Sequence, residues 1–370
     1  MKIPSIRRLL VACLLLVSVV AVLPARLHAA EVEGLYKATV PVASREDERQ
    51  RIRAFAAAMS EMLVKVTGHE DVSTQPAIGN AISAPQSYVE SWAYRTQTNA
   101  ETGQQQLMID ISFYQAEVRN LLDSAGVAVW PQSRPETLVW MIVQNEQGER
   151  FQVDPNAGTG TDELKLLQAA AALRGLPVLT PLWDFDDQRI MRPEFLWTLD
   201  ETTLRLASAR YQYDSILAIR ILHSVTGQVV AKAVHLFRDR VHEAEVLDGS
   251  IDEFMVAATS MVTRELADNY GVRRSTNTGS GAGQQMLLSV EGVNGLNDYA
   301  NILRYMEGVA GISDVQVREV SDGTLTFSLN ASGQVRQLVE NLAIDRKLEA
   351  LSDPAMEGDH FHLHYRWQAL

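Results

Sequence analysis

A stretch near the middle of this 370-residue chain, Thr202–Gly271, constrains its fold more than any other. A short helical repeat at its start gives way to β-branched runs, Ser215–His223 and Gln228–Phe237, which are typical of paired strands. The stretch closes on a helix, Ser250–Tyr270, whose apolar residues recur three or four positions apart. Ser250 and Glu253 match a capping box, and the glycine after Tyr270 matches a helix stop. Strands enclosed by helices in this order predict an α+β domain.

The first 30 residues predict an export signal. Lys2, Arg7 and Arg8 form a basic start, and the apolar run Leu9–Leu23 leads to small residues at Ala29-Ala30. The apolar run is shorter than the ~20 residues that a membrane-spanning helix needs. We therefore expect residues 1–30 to be a cleaved signal peptide. The mature protein is then predicted to lie in the periplasm, with no integral membrane span.

The single cysteine, Cys13, lies inside this signal. Leu10–Cys13 resembles a lipoprotein box, but most of the apolar core follows Cys13, which favours cleavage near Ala29 over acylation. The mature chain would then hold no cysteine, although an oxidising compartment would permit disulfides. Thiol chemistry is thereby excluded, and packed cores must supply the stability.

The mature chain is predicted to be strongly acidic. The whole sequence carries a formal net charge of −13, and removal of a signal with four basic residues and no acidic ones makes it −17. Nucleic acids and anionic lipids bind clustered Lys and Arg side chains. The charge therefore argues against nucleic acid or anionic lipid as the main partner. The partners that we expect, other envelope proteins, follow from the predicted location instead.

Proline, glycine and serine clusters divide the rest of the chain into predicted domains. After the signal at 1–30 we expect an N-terminal α+β domain over 31–130 and a central α+β domain over 131–271. A Gly- and Ser-rich stretch, 272–285, has the composition of a flexible linker. A C-terminal domain over 286–370 follows. The predicted fold class is α+β, built from three small α/β-sandwich modules.

The C-terminal module has the clearest pattern. Strand signals at Met286–Val290, Ile312–Val320 and Thr324–Leu329 alternate with helical repeats, and Phe361–Trp367 completes the series. The resulting order, βαββαβ, predicts a ferredoxin-like sandwich.

The same last strand carries the strongest candidate for chemistry. His360, His362 and His364 alternate along it and therefore share one face, where a nearby Glu357 or Asp359 could complete a zinc site. The simpler interpretation is that the histidines form the wet side of a strand whose other side is apolar. A metal-binding protein or metal-dependent enzyme using these histidines is therefore the alternative hypothesis.

The remaining candidates are weaker. Asp184, Asp186 and Asp187 cluster in a loop, but the spacing and the turn glycine of a calcium loop are missing, which favours a solvated acidic loop. The loop Asn156–Thr161 precedes a helix, yet it lacks the motif of a phosphate-binding loop. No nucleophile motif such as G-x-S-x-G is present. The sequence thus predicts no catalytic, cofactor-binding or metal-binding residue and no cofactor.

Several short segments carry a resemblance to a known family. They are Val64–Gly68, Trp130 with Arg134-Pro135, Arg174–Pro177, Pro181–Asp184, and Ala207–Tyr211 followed by Asp214–Leu217. On these segments the chain resembles the exported proteobacterial domain of unknown function family 2066, over roughly Glu31 to Gly271. The resemblance implies an envelope location and carries over no catalytic residue.

The observations together favour a cell-envelope protein without enzymatic activity. Three small modules, a flexible linker and the lack of a catalytic motif are typical of protein-binding or assembly accessory factors. The sequence does not name the partner.

Overall fold

A computed structural model of the chain describes seven segments, which cover 30–98, 103–226, 228–273, 284–309, 311–331, 335–357 and 360–368. The predicted export signal lies outside the described residues, except for Ala30. The strands and helices form separate sheets with helices packed on them. The prediction of an α+β fold made of several small sandwich modules is confirmed.

The first module is a three-stranded antiparallel sheet covered by helices, and a short strand, β1, precedes it. The sheet order is β2-β4-β3. Its elements are β1 (Ala30–Glu31), β2 (Lys37–Pro41), α1 (Glu48–Thr67), α2 (Pro76–Ser83), β3 (Val89–Thr98), β4 (Gln105–Phe113) and α3 (Gln115–Ser124), with 3-10 turns at Glu70–Thr74 and Pro85–Tyr88.

Helix α1 supplies most of the core of the first module. Asp47 caps its start by accepting a hydrogen bond from the amide of Gln50, and Gly68 ends it in the left-handed conformation at φ 76°. Met59, Met62 and Leu63 are fully buried against the sheet. The long apolar stripe of this helix thus folds as its spacing predicts.

The central module is a six-stranded mixed sheet with helices on both faces. Its order is β11-β10-β9-β6-β7, and β8 pairs with β6. The strands and helices are β5 (Ser133–Arg134), β6 (Thr137–Gln144), β7 (Arg150–Gln152), α4 (Thr161–Arg174), β8 (Val178–Leu179), α5 (Phe185–Ile190), α6 (Pro193–Thr198), α7 (Glu201–Ser208), β9 (Ser215–His223), β10 (Val229–Phe237), β11 (Arg240–Gly249) and α8 (Ile251–Tyr270). β5 lies outside this sheet and pairs with β1.

Strand β6 lies between the two helical layers. Its side chains alternate between a core under α4 and α8, which contains Met141, and a core under α5–α7, which contains Trp140. β6 runs parallel to both β8 and β9. Parallel strands need both faces covered, and this explains the unbroken apolar run of β6.

Two predicted caps of α8 are wrong in detail. The side chain of Ser250 makes no capping hydrogen bond, and the backbone carbonyl of Ser250 instead accepts the amide of Phe254. Gly271 is extended at φ −65° rather than left-handed, because Val272 pairs with Val129 in the segment that enters β5. The end of α8 is therefore fixed by the pairing of Val272 with Val129, at the end of the first module. The local sequence does not encode this contact.

The third module is a six-stranded sheet in the order β13-β14-β12-β17-β15, with β16 also paired to β17. Its helices cover one face of this sheet. The elements are β12 (Gln284–Glu291), α9 (Leu296–Gly308), β13 (Ile312–Ser321), β14 (Thr324–Ala331), α10 (Val335–Ile344), β15 (Leu348–Ala350), β16 (Ala355–Glu357) and β17 (His360–Trp367).

The last strand of this module differs from the simple βαββαβ expectation. Two short strands, β15 and β16, separate α10 from β17. β17 is inserted between β12 and β15 and runs parallel to β12. The predicted order is therefore present with two additional short strands, and β17 takes a central position in which Leu363, Tyr365 and Trp367 are buried.

The predicted linker, 272–285, is shorter than expected at both ends. Val272 pairs with Val129, and Gln284 and Gln285 belong to β12. The stretch 274–283 lies outside the described residues. Within the part of the chain that the structure describes, no helix combines the length and apolar character needed to cross a membrane.

Candidate binding cleft

All three modules meet around one cleft of about 710 Å³. The first module contributes the start of α3, and the segment Val129–Ser133 forms the floor between modules. The third module contributes α9 and the end of α10. Clefts of this size at module boundaries are the usual places for binding sites. We call this cavity the junction cleft.

The charges around the junction cleft balance. Three basic side chains, Arg119, Arg304 and Lys347, line it together with the acids Asp298, Glu307 and Asp345. The cleft therefore lacks the single-sign field that attracts phosphates or other strongly charged ligands.

One acid of the cleft is already engaged. The hydroxyl of Tyr305 donates to Oδ2 of Asp345 at 2.8 Å, and Lys347 lies 5.1 Å from the centre of the Tyr305 ring. Burial, together with the carboxylate of Asp345, raises the pKa of Tyr305 well above its usual range. Tyr305 thus stays a neutral phenol, and the pair holds α9 against the end of α10.

Two buried side chains in the cleft wall have unpaired polar atoms. Trp130 is fully buried and Asn341 is 7% exposed. Trp130 Nε1 and both side-chain amide atoms of Asn341 find no hydrogen-bond partner among the described residues. A desolvated polar group without a partner costs about 1–3 kcal/mol, and each such group in a folded protein calls for an explanation.

The floor of the cleft is held by Arg134, which is fully buried. Its guanidinium donates to carbonyl oxygens of Pro131, Arg174, Gly175 and Lys65 at 2.7–3.0 Å. Lys65 and Arg174 lie in the last turns of α1 and α4, where a cation complements the helix dipole. Burial lowers the pKa of Arg134 to about 9. One guanidinium therefore caps helices from two modules.

The contacts around Arg134 explain two features of its neighbours. The guanidinium carbon lies 3.9 Å from the centre of the Trp130 ring, so one face of that indole is covered. Gly175 is left-handed at φ 59°, and a Cβ there would lie 2.7 Å from Nη1 of Arg134. Only glycine fits at this position.

The motif segments singled out in the sequence converge on two such nodes. Val64–Gly68, Trp130 with Arg134-Pro135, and Arg174–Pro177 meet at the Arg134 guanidinium. Pro181–Asp184 and Ala207–Tyr211 meet at a second node around Asp187. These motifs therefore supply packing and hydrogen bonds between segments.

The second node corrects the prediction of a solvated acidic loop. Asp187 is fully buried and accepts from the amide of Trp183, the hydroxyl of Tyr211 and, at 3.3 Å, Arg210. Asp184 receives both arms of Arg210 at 2.5 and 2.6 Å, and these hydrogen bonds lower the pKa of Asp184 to about 2. Asp184 and Asp187 therefore hold α5 against the segment that follows α7.

The histidine strand lies outside the junction cleft. His362 and His364 are partly exposed on the face of the third sheet opposite its helices, with ring centres 3.9 Å apart. His362 Nε2 lies 2.8 Å from Oγ of Ser289. Across the described residues, no group of three or more His, Cys, Asp or Glu side chains is arranged to hold a metal ion. His360 is also partly exposed on this strand.

Sequence reasoning missed the residues that build the cleft. The sequence places Trp130 at a predicted domain boundary and in a segment of family resemblance, and it does not single out Asn341. One signal in the sequence could have indicated a buried polar group: Asn341 lies beside Leu342 at the edge of the apolar face of α10.

Residues 29–131 match the family model described as domain of unknown function (DUF8605). The prediction of a domain of unknown function is thus confirmed, and the matching family is DUF8605 rather than family 2066. The matched range covers the first module and ends in the floor of the junction cleft. No match to this chain was found among curated proteins.

Solved structures give remote likenesses. The competence damage-inducible protein A (ComA) from Klebsiella pneumoniae is similar at 15% identity with a TM-score of 0.20, covering 41% of this chain and 89% of that one. Homoserine dehydrogenase from S. aureus is similar at 7% identity with a TM-score of 0.14, covering 38% of this chain and 32% of that one. At these scores the likenesses carry no functional argument.

Proposed function

We infer that this chain is an exported cell-envelope protein that binds other envelope proteins, without catalysing a reaction, and that the junction cleft is where it binds them. The observation that carries this proposal is the set of buried, unpaired polar atoms of Trp130 and Asn341 in the wall of a cleft shared by three modules.

Unpaired groups of this kind support a binding role. In natural proteins, buried polar groups without hydrogen bonds occur mainly at functional sites. The loss of stability is tolerated there because the groups bind a ligand. Neither Trp130 nor Asn341 supports the fold through its polar atoms, since those atoms bond to nothing described. A ligand that pairs with them would recover their lost hydrogen bonds.

The chemistry of the cleft favours binding over catalysis. Asp345 accepts a hydrogen bond from Tyr305, and the raised pKa of Tyr305 keeps that phenol protonated near neutral pH, so it does not act as a base. The other charged side chains of the lining, which include Arg304 and Glu307, are of both signs. This arrangement suits recognition of a neutral surface.

The proposed envelope location rests on the predicted signal at 1–30 and on the resemblance to exported proteins. Intact-mass measurement of the protein from the periplasmic fraction should give a chain starting at Ala30 or Glu31. A chain that begins at an acylated Cys13, or that keeps Met1, would contradict the proposal.

Photo-crosslinking in cells tests the binding proposal. The photoreactive amino acid p-benzoylphenylalanine replaces Gln115, an exposed residue on the rim of the junction cleft. The matched control places it at Asn120, an exposed residue of the same helix that does not line the junction cleft. We expect discrete adducts with envelope proteins from position 115 and none from position 120. Equal labelling at both positions, or no adduct at 115, would overturn the proposal.

A further inference from the structure

The unpaired atoms in the wall of the junction cleft have a specific pattern. Trp130 Nε1 is a hydrogen-bond donor, and the Asn341 carboxamide offers one donor group, Nδ2, and one acceptor, Oδ1. A main-chain peptide unit carries one N–H donor and one carbonyl acceptor. The Asn341 carboxamide can therefore pair with a peptide unit through two reciprocal hydrogen bonds, and the indole can donate to a second carbonyl.

The electrostatics of the cleft agree with an uncharged ligand group. Lining acids and bases are equal in number, so neither a phosphate nor a strongly basic segment is selected. Peptide units are polar but uncharged, which matches carboxamide and indole groups better than it matches charged ones.

The aromatic rings of the cleft argue against a glycan. Sugars bind on free aromatic faces, but Arg134 covers one face of Trp130, and that side chain is fully buried. Trp367 is 7% exposed and packs against Tyr305, with ring centres 5.9 Å apart. Neither tryptophan ring therefore offers a free stacking surface.

We propose that the junction cleft binds an extended, uncharged peptide segment whose main-chain amide pairs with the Asn341 carboxamide and whose next accessible carbonyl accepts from Trp130 Nε1. This assignment rests on the proposed binding function and names its ligand.

The polar atoms are shielded from solvent in the structure, so the peptide reaches them when α10 moves away from the floor of the cleft. Several hydrogen bonds join α10 and the residues just after it to the central module, beside the apolar contact of Ile344. Glu340 contacts Arg238 at 3.3 Å and Asn269 at 3.1 Å, Arg346 contacts Gln212 at 2.9 Å, and Gln337 donates to the carbonyl of Gly271. Small polar interfaces between modules permit relative motion.

Fluorescence anisotropy tests the proposal with the full mature chain. The probe is a fluorescein-labelled mixture of random nonapeptides made from uncharged residues, with acetylated and amidated ends. Two competitors are used: the same mixture with every peptide nitrogen methylated, and the tetramer of N-acetylglucosamine. We expect the unlabelled peptide mixture to displace the probe and both other ligands to fail. Displacement by the methylated mixture would overturn pairing through the main chain.

Variants assign the contact to Asn341. Asn341→Leu should weaken peptide binding at least tenfold, while the urea midpoint of unfolding stays the same or rises, because a buried unpaired group is removed. The matched control, Asn294→Leu, changes an exposed asparagine of the same module and should bind as the wild type does. A lower midpoint for Asn341→Leu, or unchanged binding, would overturn the role given to Asn341.

The outcomes separate this inference from the proposed function. Binding of the glycan tetramer without peptide binding would overturn the peptide assignment and leave the cleft as a binding site. Adducts from position 115 in cells together with failure of every probe would contradict only the peptide assignment. Failure of the probes together with no adducts would contradict both.

Discussion

The first and third modules both contact the central one, and the two interfaces differ in character. At the first, Arg134 donates to four carbonyl groups from three segments, and Arg174 contacts Glu70 at 2.5 Å beside Ser260. A Cβ on Gly68 would overlap the side chain of Ala267, so the backbone there lies directly against α8. This interface is closely packed and its polar groups are satisfied.

The interface of the third module is different. Ile344 joins the apolar core of the central module, and the hydrogen bonds across this interface involve Glu340, Arg346 and Gln337. Asn341 leaves two polar atoms unpaired in it, and the buried Glu136 leaves one. From this comparison we expect the first and central modules to move together and the third module to separate from them more readily.

The largest predicted effect breaks the first interface. Arg134→Ala should lower the free energy of unfolding of the first and central modules by about 3–4 kcal/mol, because four desolvated carbonyl groups lose their donor. Arg134→Lys should recover little of this loss, since an ammonium cannot reproduce the guanidinium fork. Urea unfolding gives both values. The matched control, Arg346→Ala at the other interface, should cost less than about 1 kcal/mol, and equal losses for the two arginines would contradict the difference between interfaces.

The second-largest predicted effect is that acid lowers the stability of the central module. His235 is fully buried in the central core, with neither ring nitrogen hydrogen-bonded among the described residues. Burial, then His242 and Arg240, lower the pKa of His235 to about 3, although Glu265 lies near His242. The unfolded histidine titrates near 6.5, so the unfolded state binds the proton first and stability falls as the pH drops from about 6.5 toward 3.

The size of that acid effect follows from linkage. At pH 4.5 the loss should reach about 2–3 kcal/mol relative to pH 7.5. His235→Leu should remove this component, so the difference between wild type and variant should shrink as the pH falls. Urea unfolding at both pH values checks it, and parallel pH dependence of the two proteins would contradict the assignment to His235.

The polar interface predicts a smaller, local effect. Glu340→Ala removes the contacts of Glu340 with Arg238 and Asn269, so the third module should open more often, with a cost of less than about 1 kcal/mol. Tryptic cleavage after Arg273 should then speed up about two- to fivefold. Glu349→Ala, an exposed acid of the same module, is the control. Equal cleavage rates in both variants would show that Glu340 does not hold the module.

The smallest effect concerns the histidine strand. His362→Ala should change the stability of the third module by about 0.5 kcal/mol or less, because the ring is partly exposed and its described hydrogen bond is to Ser289. Zinc should leave the urea midpoint of both proteins unchanged. If zinc raised the urea midpoint of the wild type and not that of His362→Ala, the metal-binding hypothesis would be favoured.

The sequence predicts features that depend on local spacing and fails for features that depend on contacts between distant segments. Spacing predicted α8, and β-branched runs predicted the hairpin of β9 and β10, because these features depend on local periodicity. The insertion of β17 beside β12 depends on non-local pairing, and the sequence does not encode it locally. The prediction for the end of α8 failed for the same reason, since Gly271 is fixed by contact with another module.

The site was harder to predict than the fold. Asp187 has the sequence context of a surface acid, and its burial comes from Arg210 and Tyr211 on a distant segment. Asn341 is buried because its helix docks onto another module, and a single-helix pattern cannot show such a contact. Sequence patterns therefore do not reveal polar residues that become buried only when one segment or module packs against another.

A reversible lock on the third module tests the central claim most directly. Asn269→Cys and Glu340→Cys, introduced together, place thiols on two side chains that contact each other across the polar interface. A disulfide-containing bismaleimide joins them, and a reductant cleaves the link. The account predicts that the locked protein binds the peptide mixture at least tenfold more weakly and that reduction restores binding. Equal binding before and after reduction would show that the cleft does not need to open, and would contradict the account.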